Sequence, residues 1–280
     1  MSAGPRAMHH EHLVFSHANG FPAPVYRQLL APFAESFTIS SVARFGHDPR
    51  FPVDRRWNGL RDELLAHVED NVAADARLWL VGHSLGGYLS LLAGARLGPR
   101  VAGIVLLDSP LIAGLGGGMV RWGRRFGFDR YLMPLDQTAQ RRTRWPDVAA
   151  VQAHFRDKPG FAGWHAAMLR DYARHGTEAA DDGGRRLRFD HEVEYRIYRS
   201  LPTRTVVAAA QACVAPVAFV AGTRSREVRH IGLRATRRVV GARLAWIEGG
   251  HLFPMERPDE TAAAIGSMIG GMREAGTRVA

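Results

Sequence analysis

The sequence predicts an α/β fold: a mostly parallel, doubly wound sheet flanked by helices, with a helical block inserted into it. Three observations predict it. Short apolar runs alternate with stretches of helical period in both the first and the last third of the chain. One run, Val101 to Leu107, is apolar almost throughout, as expected of a strand covered on both faces. Between Pro110 and about Leu201 the alternation gives way to a block rich in aromatic and charged residues. The boundaries that follow are a core of 1–109 and 206–280, interrupted by a helical lid of 110–205.

In chain order, His12-Leu13-Val14-Phe15-Ser16 reads as a short buried strand running into a turn at His17 to Pro22. Val25 to Phe37 has helical period, with Leu29, Leu30 and Phe33 on one face, and Phe37 to Val42 alternates like a strand. Trp57 to Asn71 is an amphipathic helix (Leu60, Leu64, Leu65, Val68), and Leu78 to Val81 is a strand. In the inserted block, helices are expected at Met119 to Phe126, Asp147 to Phe155 and Phe161 to His175. Alternation resumes with Val217 to Ala221, Val228 to Val240, Leu244 to Ile247 and Pro258 to Met272.

At 280 residues, 46% hydrophobic and 23% charged, the chain has the composition of a soluble globular protein. Met1 to Glu11 lacks a long apolar region, so no signal peptide is expected and the cytoplasm is the expected compartment. Val206 to Val220 is lipophilic but rich in alanine and broken by Gln211 and Pro216, which favours a buried helix followed by a strand over a membrane span. The lone cysteine, Cys213, excludes a disulfide framework. Net charge is +10, nearly all of it arginine; Lys158 is the only lysine. The arginines are spread along the chain and no nucleic-acid module is recognisable, so solvated cations are expected rather than a nucleic-acid partner.

Gly82-His83-Ser84-Leu85-Gly86-Gly87 stands between a strand and a helix-like stretch, the G-x-S-x-G pattern of a nucleophile elbow. A turn that sharp brings backbone segments together, and a Cβ at Gly82 or Gly86 would clash. It lifts the Ser84 hydroxyl off the sheet edge. A serine hydroxyl is a poor nucleophile and needs a base, itself oriented by a third group. His251, in the turn after Leu244 to Ile247, is the candidate base: loops at the carboxyl ends of strands share one edge of a doubly wound sheet. Two acids end strands between Ser84 and His251. Asp108 stands directly at a strand end; Glu227 lies deeper in a loop beside Arg224, Arg226 and Arg229, where an ordinary salt bridge would occupy it. Asp108 is therefore the better-placed acid. Negative charge developing on a substrate oxygen needs donors already aimed at it. Candidates are the Leu85 main-chain N–H and Asn19 in the loop after the first strand, with Gly20 or Phe21 a register slip away; His17 is expected to brace that loop.

Other clusters are less telling. His9, His10 and His12 have no companion with metal-ligand spacing and read as a solvated tail, so no metal is expected. His83 is expected to pack beneath the elbow. Gly114 and Gly116 to Gly118 lack a phosphate-loop lysine and read as a lid hinge.

Taken together, His17-Ala18-Asn19-Gly20, the elbow, Leu107-Asp108-Ser109-Pro110 and Gly249-Gly250-His251 make the chain resemble the α/β-hydrolase superfamily, in particular its lid-bearing esterases, epoxide hydrolases and haloalkane dehalogenases. The resemblance covers about Leu13 to Pro110 and Val217 to Met272. Where that family usually has His-Gly, this chain has His17-Ala18, and Asn19 falls where dehalogenase-like members place an oxyanion donor. The family's usual acid position is Ser225 here, whereas some members carry the acid after the strand following the elbow, which is Asp108. Few residues precede the first strand, so the opening antiparallel pair is expected to be missing and the sheet to have six to seven strands. Serine in place of aspartate at the elbow implies an acyl-enzyme, hence hydrolysis of an ester, thioester, amide or carbon–carbon bond beside a ketone, with no metal or organic cofactor. A small-molecule carboxylic ester is the simplest substrate. Alternatives are a non-catalytic ligand receptor of the same fold, or acyl transfer or perhydrolysis through the same triad. Trp122, Phe126, Phe128, Tyr131, Trp145, Phe155, Phe161 and Trp164 offer an apolar pocket lining or lid packing. Arg121, Arg124, Arg125, Arg141, Arg142 and Arg144 make the lid basic.

Overall fold

The computed structural model describes residues 11–113 and 142–277. Strand β1 (Glu11–Ser16) is followed by 3-10 turns at Ala23–Tyr26 and Ala31–Phe33 that flank a single helical turn, α1 (Arg27–Leu30). The continuous helix expected over Val25 to Phe37 is thus broken. Pro24 and Pro32 lack the N–H that an α-helical ladder needs, and each opens one of the tighter turns. The chain continues through β2 (Thr38–Ser40), α2 (Asn58–Asn71), β3 (Arg77–His83), α3 (Leu85–Leu97) and β4 (Val101–Leu107).

The insertion then contributes β5 (Arg144–Trp145), α4 (Val148–Arg156), α5 (Ala166–His175), β6 (Thr177–Ala179), β7 (Arg185–Leu187) and α6 (His191–Ser200). Its described part is not purely helical: β5, β7 and β6 form a small antiparallel sheet. Two- and three-residue strands carrying Arg144, Arg185 and Arg186 show no apolar alternation, so the pattern held no trace of them. The core resumes with α7 (Thr203–Ala212), β8 (Val217–Gly222), α8 (Arg226–Ile231), α9 (Arg234–Val240), β9 (Leu244–Ile247), α10 (Phe253–Glu256) and α11 (Pro258–Thr277). Val206 to Val220 is a helix followed by a strand, as expected, and no described helix is long and apolar enough to cross a membrane.

The main sheet has six strands, all parallel, in the order β2-β1-β3-β4-β8-β9. Register sorts side chains cleanly to its two faces. Val14, Leu80, Ile104 and Val217 are aligned across four strands and enter one apolar core; their neighbours Phe15, Val81, Val105 and Ala218 enter the other. Each of these valine, leucine, isoleucine and phenylalanine side chains taken from water is worth roughly 1.5–3 kcal/mol. Strand order reverses between β1 and β3, because the chain leaves β1 for β2 on one side and reaches β3 on the other. Ligands of doubly wound sheets bind beyond the carboxyl ends of strands at such a reversal. β1 ends there at Ser16, and β3 ends there one residue before Ser84.

Candidate active site

Ser84 turns the chain from β3 into α3 with φ 52° and ψ −112°, a conformation that a residue with a Cβ rarely adopts. Two glycines make room for it. A Cβ on Gly82 would come 2.2 Å from the Gly86 carbonyl oxygen, and one on Gly86 would come 1.9 Å from the Ser16 carbonyl oxygen. The Ser84 N–H donates to the Leu107 carbonyl at 2.9 Å, and its own carbonyl accepts from Ser109 Oγ at 2.8 Å. As the first residue of α3, Leu85 has an N–H without an intrahelical acceptor.

Ser84, His251 and Asp108 are brought together. Ser84 Oγ lies 3.0 Å from His251 Nε2, and His251 Nδ1 lies 2.7 Å from Asp108 Oδ2. A carboxylate acceptor at Nδ1 places the proton there and leaves Nε2 to accept from the hydroxyl. Asp108 is fully buried and also has positive φ (47°). Its Oδ1 accepts from Gly222 N–H at 3.0 Å, and its Oδ2 accepts from Ser225 Oγ at 2.5 Å as well as from the imidazole. Burying a charge this deeply is costly unless donors replace water, and three do so. Burial works against protonation of His251, but the Asp108 hydrogen bond and the charges of Glu227 and Asp108 outweigh it. The imidazole is held above the ordinary histidine value.

Glu227 also approaches the imidazole: its Oε2 is 3.6 Å from His251 Nδ1. The salt bridge expected between Glu227 and its arginine neighbours is not formed among the described residues. Arg224 pairs instead with Glu248 at 2.8 Å and Glu256 at 3.5 Å. Asp108, Glu227 and His251 are the one group of metal-ligand types among the described residues, with all three ligand atoms within 4.8 Å of one another. The Nδ1 proton directed at Asp108 gives that nitrogen no free electron pair for a metal.

Asn19 follows β1 in a loop gripped from several sides. Its side-chain amide donates to the Glu194 carbonyl of α6 at 2.9 Å, so the carboxamide is turned to the insertion. Phe21 packs against Trp164 and Tyr172, with ring centroids 5.8 and 5.7 Å apart. His17 braces the loop, as expected: Nδ1 donates to the Ala18 carbonyl and Nε2 accepts from Phe45 N–H at 3.0 Å, with burial pushing its pKa down to about 4.

His83 is fully buried beneath the elbow, as expected, and its hydrogen bonds join segments that are distant in sequence. Ala18 N–H donates to Tyr26 Oη, Tyr26 O–H donates to His83 Nδ1 at 2.8 Å, and His83 Nε2–H donates to the His251 carbonyl at 3.0 Å. The donors and acceptors are mutually consistent for one neutral tautomer, and burial pushes His83 down to about 3. This chain ties the loop after β1, the elbow and the His251 turn into one unit. Tyr26 could not have been singled out from sequence, since it lies within an ordinary apolar stretch.

His12 is a buried β1 residue hydrogen-bonded to Ser40 Oγ at 2.8 Å, in keeping with the strand expected from His12 and not with a solvated tail. His9, His10, Trp122, Phe126, Phe128, Tyr131, Arg121, Arg124, Arg125, Arg141, Met119 to Phe126 and the Gly114 to Gly118 stretch lie outside the described residues. Trp145, Phe155 and Trp164 are buried and pack in the same apolar core as Phe15 and Val81, and Arg142 and Arg144 are exposed. Cys213 is a part-buried thiol, its pKa pushed up to about 11 by burial.

Comparison with known proteins agrees with this architecture. Sequence comparison with curated proteins gives no match. Among solved structures, E-2-(acetamidomethylene)succinate hydrolase is similar with a TM-score of 0.73 and 23% identity, over 93% of this chain and 91% of that one. A peroxisomal α/β-hydrolase of Saccharomyces cerevisiae is similar with a TM-score of 0.74 and 14% identity, over 98% of this chain and 81% of that one. The enol-lactonase of Burkholderia xenovorans is similar with a TM-score of 0.62 and 18% identity, over 95% and 94%. These likenesses show the fold. The model of the alpha/beta hydrolase family matches residues 13–264, nearly the whole chain, and the protein belongs to that family.

Proposed function

We propose that the protein is a serine hydrolase that works through an acyl-enzyme intermediate on carboxylic esters of small to medium apolar substrates. The observation that carries this reading is the unbroken relay from Ser84 Oγ through His251 to Asp108, with contacts of 3.0 and 2.7 Å. In the first half-reaction the Ser84 proton passes to His251 Nε2 as Oγ bonds to the ester carbonyl carbon. The imidazolium, stabilised by Asp108, then returns that proton to the departing alkoxide, releasing an alcohol and leaving the acyl group on Ser84. Water repeats the sequence, its proton going to His251 and then to Ser84 Oγ as the carboxylic acid departs. The oxyanion formed each time is assigned to the main-chain N–H groups of Leu85 and Asn19. A base of this kind contributes roughly 10²–10⁴ in rate.

Hydrolysis of a p-nitrophenyl ester series, comparing the native protein with Ser84→Ala, tests the proposal. Turnover that falls by at least about a thousandfold in Ser84→Ala, with fluorophosphonate labelling of Ser84 in the native protein, is the expected result. No turnover across the series and no labelling would favour a ligand receptor.

A further inference from the structure

The segment after β8 brings a second carboxylate to the nitrogen that Asp108 already holds. Glu227 Oε2 is 3.6 Å from His251 Nδ1, and Ser225 Oγ stands between the two acids, 2.5 Å from Asp108 Oδ2 and 3.3 Å from Glu227 Oε2. One hydroxyl carries one proton, and the shorter contact takes it. Ser225 therefore donates to Asp108, while its oxygen accepts from Val228 N–H at 3.1 Å and caps α8. Glu227 is left facing the imidazole, and His251 is its one ion-pair partner among the described residues. An acid in the first turn of a helix has an ordinary use in complementing the helix dipole. That use does not require its carboxylate to approach a histidine.

We propose that Glu227 is a positioning residue: a second carboxylate at the Nδ1 edge of His251, acting through the imidazole beside Asp108 and able to take over its hydrogen bond when Asp108 is neutralised. The proposal rests on His251 being the base of the hydrolase described above. Burial divides the labour. The Asp108 side chain is fully enclosed and accepts three hydrogen bonds, so it fixes the direction of the ring. Glu227 is 43% exposed, so its charge is screened and its side chain keeps freedom to move closer. The charged and titratable groups around His251 among the described residues are few. They are Asp108 at the end of β4, Glu227 on α8, the His83 ring on β3 with its centroid 5.2 Å away, and the Arg224–Glu256 pair beside Gly250. Of the groups in contact with the ring, only the two carboxylates favour the imidazolium that forms when Ser84 surrenders its proton.

The decisive reading is the ionisation of His251 itself, followed by nitrogen-edited NMR of the imidazoles in the full chain, with the signal assigned by its loss in His251→Gln. Glu227→Gln is expected to lower the His251 pKa by about half a unit to one unit, a three- to tenfold change in proton affinity. The acid limb of kcat/KM for a p-nitrophenyl ester then moves to lower pH by the same amount. In an Asp108→Asn background, Glu227→Gln is expected to remove a further tenfold or more of the residual kcat, against less than about threefold in the native background. A His251 pKa unchanged in Glu227→Gln overturns the proposal. A pKa that shifts in a protein that turns over no ester and takes no fluorophosphonate upholds the pairing and defeats the hydrolase reading instead.

Discussion

Ser84 and Asp108 end adjacent strands in the same unusual way, each bending into positive φ, 52° and 47°, although both carry a Cβ. The backbone N–H of each donates to the strand beyond it, Ser84 to the Leu107 carbonyl and Asp108 to the Val220 carbonyl, both at 2.9 Å. The strain is thus held by the sheet itself, and it aims two side chains at the same imidazole. Strain of this kind costs about 1–3 kcal/mol per residue. Elsewhere a glycine is less stable than an alanine by roughly 0.5–1 kcal/mol. At position 84 the order is expected to invert. Ser84→Gly and Ser84→Ala both lose the hydroxyl, and Ser84→Gly is expected to be the more stable by about 1 kcal/mol in urea denaturation. A less stable glycine variant would show that the bend carries no strain.

The opposite asymmetry is expected at Gly86. A Cβ there meets the Ser16 carbonyl at 1.9 Å, and Ser16 is paired with Gly82 in the parallel ladder, so neither backbone can yield without breaking register. Gly86→Ala is expected to cost more than about 3 kcal/mol. Gly160→Ala, where an added Cβ has nothing within 4 Å, is expected to change stability by less than about 0.5 kcal/mol in the same assay.

Asn19 is the proposed second donor to the oxyanion, and its side chain gives that proposal a test. Because its carboxamide is committed to the Glu194 carbonyl, Asn19→Ala is expected to reduce kcat less than about tenfold, through loosening of the loop alone. A side-chain donor lost from the same site would cost about 10²–10³. Steady-state kinetics on one p-nitrophenyl ester separates the two.

Much of this arrangement was legible because it is written in local chemistry. The elbow shows itself through glycines that have no other role, and Val101 to Leu107 through a run of apolar residues with an acid at its end. What escaped was set by partners distant in sequence. Tyr26 matters only because the sheet places it between Ala18 and His83. Proximity in sequence points Glu227 to its neighbouring arginines, whereas β9 delivers His251 to it and Glu248 with Glu256 draws Arg224 away. Strands β5, β6 and β7 escaped for want of length, and the break in the helix expected over Val25 to Phe37 escaped because its apolar period outweighed Pro32.

Tyr26 offers a test of the connection beneath the elbow. Tyr26→Phe leaves the Ala18 N–H and His83 Nδ1 without their partner in a site where both are buried. An unsatisfied buried polar group costs about 1–3 kcal/mol, so a loss of that size or somewhat more in urea denaturation is expected. A neutral outcome would mean that the hydroxyl adds nothing to the tie between the two loops.

The two neutral histidines of this site also give stability a definite dependence on pH. Burial holds His17 down to about 4 and His83 down to about 3, against an ordinary value of 6.5. Between pH 6.5 and 4 the unfolded chain therefore binds protons that the folded one refuses, and each histidine lowers stability by about 1.4 kcal/mol per pH unit as the pH falls. Glu63 acts in the opposite sense. Burial pushes its carboxyl up to about 7, so between pH 7 and 4.5 the folded chain takes the proton first, and acidification relieves part of the loss. Unfolding free energies from urea denaturation between pH 8 and 4.5 are expected to fall on the acid side in the native protein. In His83→Gln the fall becomes shallower by about 1.4 kcal/mol per unit, even though the variant starts less stable at pH 8. In Glu63→Gln it becomes steeper by a similar amount. Parallel curves in all three proteins would mean that neither buried group changes its protonation on unfolding.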